Sequence, residues 1–354
     1  MGGALGKSEE LKLAIRSNGL ADVVNILAAD PSSAIGRDGS DSPLAAAARM
    51  GSVEMLKILL AYPLGKNDGS KALRVAVERG FAECAQLLIP LSDLNGEACR
   101  LRPKELAFDD FVDERPGSME PLTPLCVAAG FGKLDCLRLL LGASKPSVEH
   151  ASHALGWAAQ GGHPDCVREL LPFADATAWE SGALQRAAGA GSVACVELLI
   201  PASIPGAGNS RALRLAADNA HPECVRLLLP VSPGEDAGQA LILAAQMECE
   251  ESLSLILAEH PESAKAVDPW GFTALMRASM LGYEGCAKIL APLSDLKAAS
   301  EGERAVDMAD SASRESRYPE LAAYLRELAL SREEARLLEV AAPGGARPIS
   351  DRRL

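Results

Sequence analysis

The sequence is poor in aromatic residues, which make up only 4% of its 354 positions. Leucine and alanine supply most of an apolar content of 48%. That balance excludes a core built on large rings and favours small, regular contacts between helices. Cations are also short, with 35 Lys and Arg against 48 Asp and Glu and a net charge of −13. Phosphate affinity rests on Lys and Arg, so no nucleic-acid partner is expected, and anionic membranes are disfavoured for the same reason. No apolar run approaches the roughly 20 residues of a membrane span. The opening MGGALGKSEE has no hydrophobic signal-peptide core. It has Gly6 where a myristoylation signal wants Ser or Thr, and Met1 where a phosphate-binding loop needs glycine. No Cys-x2-Cys pair occurs, and an odd number of cysteines, nine, suggests reduced thiols.

What the chain does have is repetition. Copies of one pattern begin at Leu44 (LAAAARMGSVEMLKILL), Leu73, Leu125, Leu155, Leu184, Leu213, Leu241 and Leu275. A first copy from Leu11 is polar and irregular and reads as a cap, and a degenerate last copy runs from about Glu303 to Leu328. Successive anchor leucines lie 33, 29, 52, 30, 29, 29, 28 and 34 residues apart. Each copy holds two short apolar patterns at helical spacing, parted near a glycine and closed by a turn. One such pair cannot bury its own apolar face, whereas stacked copies can, so an all-α solenoid of helix-turn-helix units is expected.

These residues resemble the ankyrin-repeat family. The family's TPLH-like start, Ala-Ala, Gly-His and Leu-Leu appear as SPL at 42–44, TPLCVAAGFG at 123–132 and AAQGGHPDCVRELL at 158–171. The fullest turn is DPWGFTAL at 268–275. The resemblance spans roughly residues 8–330. It implies a solenoid and a non-catalytic protein-binding scaffold, with no cofactor and no enzyme activity. Several copies are 28–30 residues long against the family's 33. The shortfall falls after the second helix, so few or shortened β-hairpin fingers are expected. Pro90, Pro172, Pro201, Pro230 and Pro292 should stop the second helices, because proline lacks the N–H that a helix needs. The family histidine of the first helix is replaced by Ala45, Arg74, Cys126, Gly156, Gln185, Arg214, Ile242 and Met276.

Two copies carry a His-Cys pair, His163 with Cys166 and His221 with Cys224, three apart and on one side of a helix. A metal reading needs four ligands, or three and a water, at 2.0–2.3 Å. Each pair supplies two, and neighbouring layers lie about 10 Å away. The cysteines instead form a column: Cys84, Cys136, Cys166, Cys195, Cys224 and Cys286, with Met55 and Ser252 at the same register. Interchangeable Cys, Met and Ser mark a small, mostly apolar packing position. The histidines share their register with Ser52, Phe81, Lys133, Ser192 and Tyr283. No catalytic, metal or cofactor residues are assigned, and metal binding or catalysis through the pairs is an outlying alternative.

The positions after the Ala-Ala pair are the ones expected to face a partner, because in the family they project along the concave side. They are Arg49 and Met50, Glu78 and Arg79, Gly130 and Phe131, Gln160 and Gly161, then Gly189 and Ala190, Asp218 and Asn219, Gln246 and Met247, and Met280 and Leu281. Trp157, among small residues, reads as a layer filler. Trp270 sits at a fingertip position and reads as the best single hot spot.

The 52-residue interval holds a helix expected from about Arg102 to Phe111 and five acids, Glu105, Asp109, Asp110, Asp113 and Glu114. It reads either as a degenerate unit that bends the stack or as an acidic patch for a basic partner. SREEARLLEV reads as a final capping helix, and AAPGGARPISDRRL as an unstructured tail. The expected organisation is a cap and first repeats over 1–93, the irregular segment 94–122, the main stack 123–300, a degenerate repeat and cap 301–340, and the tail 341–354. The expected function is binding of a protein partner by a monomeric, cytoplasmic chain of bacterial style. The alternative is a secreted bacterial effector without a cleavable signal, or an inhibitor that occludes a partner enzyme.

Overall fold

The structure is a computed structural model that describes residues 7–35, 42–65, 67–94, 123–296, 299–300, 303–305, 307 and 318–341. The chain divides into two compact units, Met1–Ala212 and Leu213–Leu354. The first holds six helix pairs: α1 (Lys7–Arg16) with α2 (Leu20–Ala29), α3 (Pro43–Met50) with α4 (Val53–Leu59), and α5 (Asp68–Arg79) with α6 (Ala82–Leu88). These are followed by α7 (Pro124–Gly130) with α8 (Leu134–Ala143), α9 (Val148–Gln160) with α10 (Pro164–Leu170), and α11 (Ala178–Gly189) with α12 (Val193–Leu199). Helix α13 (Ala207–Asp218) carries the boundary. The second unit continues with α14 (Pro222–Leu228), α15 (Ala237–Gln246), α16 (Glu250–Glu259), α17 (Ala274–Leu281), α18 (Glu284–Leu290) and α19 (Pro319–Ala341). Strands β1 (Ala299–Ser300) and β2 (Glu303–Arg304) form a two-residue antiparallel hairpin.

In the first unit the first helices pack in a line, α1 on α3, α3 on α5, α5 on α7, α7 on α9 and α9 on α11. The second helices α4, α6, α8, α10 and α12 form a parallel line. Anchor leucines such as Leu11, Leu44, Leu73, Leu155 and Leu184 are fully buried between layers. Each contributes about 1.5–3 kcal/mol by leaving water. The alanines of the first helices, including Ala48, Ala76 and Ala128, are equally buried and let backbones approach closely. The prolines end the second helices as expected, by tightening the chain into 3-10 turns at Ile89–Leu91, Ile200–Ala202 and Leu229–Val231.

Apart from the copy at Leu241, which has Gly238 three before its anchor, the copies after the first begin in one of two ways. After the long intervals a hydroxyl two residues before the anchor leucine caps the first helix: Ser42 accepts the Ala45 N–H, Thr123 that of Cys126 and Thr273 that of Met276. After the intervals of 29 or 30 residues, a buried serine instead stands three before the anchor, at Ser70, Ser152, Ser181 and Ser210. Ser70 accepts the Asp93 N–H at 3.0 Å, Ser152 that of Asp175 at 2.8 Å and Ser181 that of Ile204 at 2.9 Å. Each bond pins the next inter-repeat loop against the first helix, where a projecting hairpin would otherwise satisfy the loop backbone.

Three features differ from the sequence expectation. Helices α5 and α7 pack directly on one another, as do α6 and α8. No helix layer therefore separates them, and the stack continues across the 52-residue interval. Residues 95–122, with the helix expected from Arg102, lie outside the described residues. The first copy, expected to be a polar cap, also exposes apolar side chains: Leu13, Leu20 and Val24 are 49, 40 and 43% exposed. Leu13 stands two after its anchor, a position buried in later copies at Ala46, Val75 and Val127, but no described element lies over it in the first. Finally, α19 is one 23-residue helix, joining the end of the degenerate copy to the expected cap. No Gly interrupts it, and Pro319 sits at its first position, where proline is tolerated.

Candidate functional site

The His-Cys pairs divide their side chains between two jobs. Cys166 and Cys224 are buried at the layer interface, as are Cys84, Cys136, Cys195 and Cys286. Burial, helped by adjacent carboxylates, pushes the Cys136, Cys166, Cys224 and Cys286 thiols up to about 11. A thiol held that high is almost wholly protonated at neutral pH and so is a poor nucleophile. His163 lies away from Cys166, across the preceding copy. Its ring covers Gly132, where an added Cβ would meet Nδ1 at 2.5 Å. Its Nε2 lies 3.0 Å from the Gly130 carbonyl. A carbonyl only accepts, so Nε2 carries the proton and caps the end of α7. Phe81 covers Gly51 and Lys133 covers Gly80 at the same register. These glycines adopt φ of 66°, 70° and 81°, a left-handed conformation that disfavours any side chain. Among the described residues no three His, Cys, Asp or Glu side chains form a ligand set.

Of the expected partner-facing positions, Gly130 and Gly189 are buried and the others are at least partly accessible. In the first unit Arg49, Met50 and Arg79 are exposed, and Glu78, Phe131 and Gln160 are half-buried. In the second, Met247 and Leu281 are exposed at 47% and 37%, and Asp218, Asn219, Gln246 and Met280 are half-buried. Arg186 of α11 donates to Gln160 Oε1 at 3.4 Å, so Gln160 is tied to the next copy. Trp157 is 5% exposed with the Arg186 guanidinium 5.4 Å from its ring, which fits the layer-filling role.

The Trp270 loop is a finger of defined geometry. Val267 and Thr273 form an antiparallel bridge, and the Asp268 N–H donates to the Phe272 carbonyl at 2.9 Å. Asp268 organises the tip from inside. Its Oδ1 accepts the N–H groups of Trp270 at 3.0 Å and Phe272 at 2.9 Å, and its Oδ2 accepts Arg277 Nε at 2.9 Å and also Nη2. Burial pushes the Asp268 carboxyl up, but the bonds from Arg277 and the loop N–H groups outweigh it and hold the carboxyl below its ordinary value. The same guanidinium lies 4.3 Å from the Phe272 ring centre and 5.5 Å from that of Trp270. Trp270 nevertheless remains 68% exposed. Its backbone is fixed while most of its indole faces water.

Sequence reasoning missed a second exposed tryptophan. Trp179 is 53% exposed and stands five residues before its anchor Leu184, the register of Trp270 before Leu275. Aligning the copies on their anchors was enough to find it. It also missed the buried serines, which recur three before the anchor that ends every interval of 29 or 30 residues.

Buried thiols, glycine-covering side chains and a rigid outward tryptophan define a helical repeat scaffold with no convergent catalytic set among the described residues. The pattern for ankyrin repeats, in blocks of three copies, matches residues 11–98, 104–178, 125–209, 155–238 and 213–304. The chain belongs to the ankyrin-repeat family, whose domains generally serve protein–protein interaction. The crystal structure of the human ASB11 ankyrin repeat domain is similar to it at 23% identity, over 57% of this chain and 97% of that one, with a TM-score of 0.49. No curated protein matches. Among the described residues, no helix is long and apolar enough to cross a membrane.

Proposed function

We propose that the chain is a non-catalytic scaffold that binds a protein partner through the Trp270 finger and exposed first-helix ends of the same unit, Met247 and Leu281. The carrying observation is Trp270 itself, 68% exposed on a tip that Asp268 and Arg277 hold in place. A large ring left in water on a fixed loop has no packing role to explain it. Trp and Met are residue types enriched at interfaces. Met50, Arg79 and Phe131 supply corresponding positions on the first unit. A protein rather than a nucleic acid or an anionic membrane is favoured by the net charge of −13. The reading takes the chain as a monomer acting in the cytoplasm.

The test is binding of a partner captured from the native source and then measured with purified components. Trp270→Ala should weaken the complex about tenfold or more, with Met247→Ala and Leu281→Ala weaker in effect. Melting temperature should hardly change, because none of the three is buried. Equal affinity in all three variants would overturn the proposed surface.

A further inference from the structure

We propose that the Trp179 face of the first unit is a separate docking site for a cationic, extended protein segment, with an arginine or lysine side chain laid on the indole. Trp179, Glu180 and Ser181 occupy a left-handed turn, with φ of 51°, 57° and 64°. A bulky residue there is a backbone outlier. The same turn recurs in the next copy at Gly208, Asn209 and Ser210, with φ of 60°, 55° and 50°. There the tryptophan position is glycine, which suits the conformation. The turn therefore has no need of an indole, and the ring's place is unexplained by the fold.

The turn is also firmly held. Ser181 N–H donates to the Thr177 carbonyl at 3.0 Å, the Ser181 hydroxyl accepts the Ile204 N–H, and Gln185 Nε2 donates to the Glu180 carbonyl at 2.7 Å. His153 of α9 backs one side of the indole, with ring centres 4.3 Å apart and planes tilted by 40°. The remainder of the ring is open, at 53% exposure. Glu149 stands one helical turn before His153 on the same face of α9, and is exposed. Asp175 and Glu180 flank the ring along the chain and are exposed as well. The loop that carries Asp175 is tied to α9 at Ser152. No Lys or Arg occurs between Pro146 and Gly156 or between Phe173 and Gln185; of the cations just beyond, Lys145 and Arg186, the second is turned to Gln160 and Trp157. The titratable groups on these two segments are thus His150, His153 and three carboxylates. An open indole whose two flanking segments carry exposed carboxylates complements a cationic side chain, by attraction to the ring face and by charge. Phe173 and Val148, 42% and 59% exposed, are further apolar side chains on the same two segments.

The experiment uses the full chain and a fluorescently labelled peptide of alternating arginine and glycine, in about 0.1 M salt, where surface charge is partly screened. A citrulline-glycine peptide of equal length is the neutral control. Saturable binding of the arginine peptide alone is expected. Trp179→Gly should weaken it about tenfold or more, and Trp179→Phe by no more than about threefold, since a ring persists. Trp179→Gly restores the residue that the next copy uses, so its thermal melt should be no lower than wild type. The double change Glu149→Gln with Glu180→Gln touches only exposed side chains and should weaken binding by about threefold or more. Trp270→Ala should leave it unchanged, which separates this site from the finger. The proposal fails if the arginine peptide does not saturate, if Trp179→Gly binds as well as wild type, or if Trp270→Ala loses as much.

Discussion

The hydroxyl of Ser152, at the start of one repeat, accepts the backbone N–H of Asp175, at the end of that repeat, at 2.8 Å. Ser70 with Asp93 and Ser181 with Ile204 repeat the relationship. In each case a serine that is almost fully buried takes the place of a finger: the loop turns sharply back, and its N–H meets a side chain instead of a hairpin partner.

Replacing that hydroxyl should be costly in proportion to burial. Ser152→Ala leaves the Asp175 N–H without its acceptor and should destabilise the first unit by about 1–2 kcal/mol. Amide hydrogen exchange should show faster exchange at Asp175 and its neighbours before any change at the distant anchor leucines. Unaltered exchange at Asp175 would mean that the bond contributes nothing to the loop.

The buried thiols should be kinetically silent. With values near 11, about one in a thousand of the Cys136, Cys166, Cys224 and Cys286 side chains is thiolate at pH 8, and each is shielded by packing. Cys249 is only half-buried, at the start of α16, with its thiol 3.0 Å from the Ser252 hydroxyl. Site-resolved alkylation of the folded chain should modify Cys249 well ahead of those four, and denaturant should erase the difference. Fast modification of Cys166 or Cys224 under native conditions would contradict the packing role.

The finger should weaken in acid. Asp268 has its carboxyl lowered in the folded chain from an ordinary value of 3.8. Its stabilising contribution is therefore complete above that value and lost as pH falls through the lower, folded one. Asp268→Asn removes the charge facing Arg277 and should cost about 1–3 kcal/mol at pH 7. The gap in melting temperature between wild type and variant should then shrink below about pH 4. A gap independent of pH down to pH 2 would show that the ion pair does not contribute. Binding through Trp270 should suffer in parallel, because Asp268 Oδ1 holds the tip N–H groups.

Much of the fold was legible because it is printed many times. Leu44, Leu73, Leu155 and Leu184 recur with their alanines in register, and any one copy has a face that only another copy can cover. The column containing Cys166 and Cys224 was legible for the same reason, since a position that accepts Cys, Met and Ser has lost any demand for thiol chemistry. Trp270 was legible from its place in a full-length turn. The serine bonds were not recognised, although Ser70, Ser152 and Ser181 hold one register. Their partners are backbone N–H groups of Asp93, Asp175 and Ile204, which any residue but proline can offer, so nothing in the side-chain pattern marks the other end of the bond. The role of His163 was hidden likewise, because its partner is the Gly130 carbonyl, 33 residues away.

The sequence by itself determined the repeat, its helix pairs, its family and the shared register of its column of cysteines, because these follow from periodic burial and from interchange at equivalent positions. Only the tertiary structure decided that α5 and α7 meet across the long interval, that the first copy exposes Leu13, Leu20 and Val24, and that Trp179 stands open above His153. Those outcomes depend on which surfaces another segment covers and on backbone groups brought together from distant positions. Neither is carried by the identity of a residue alone.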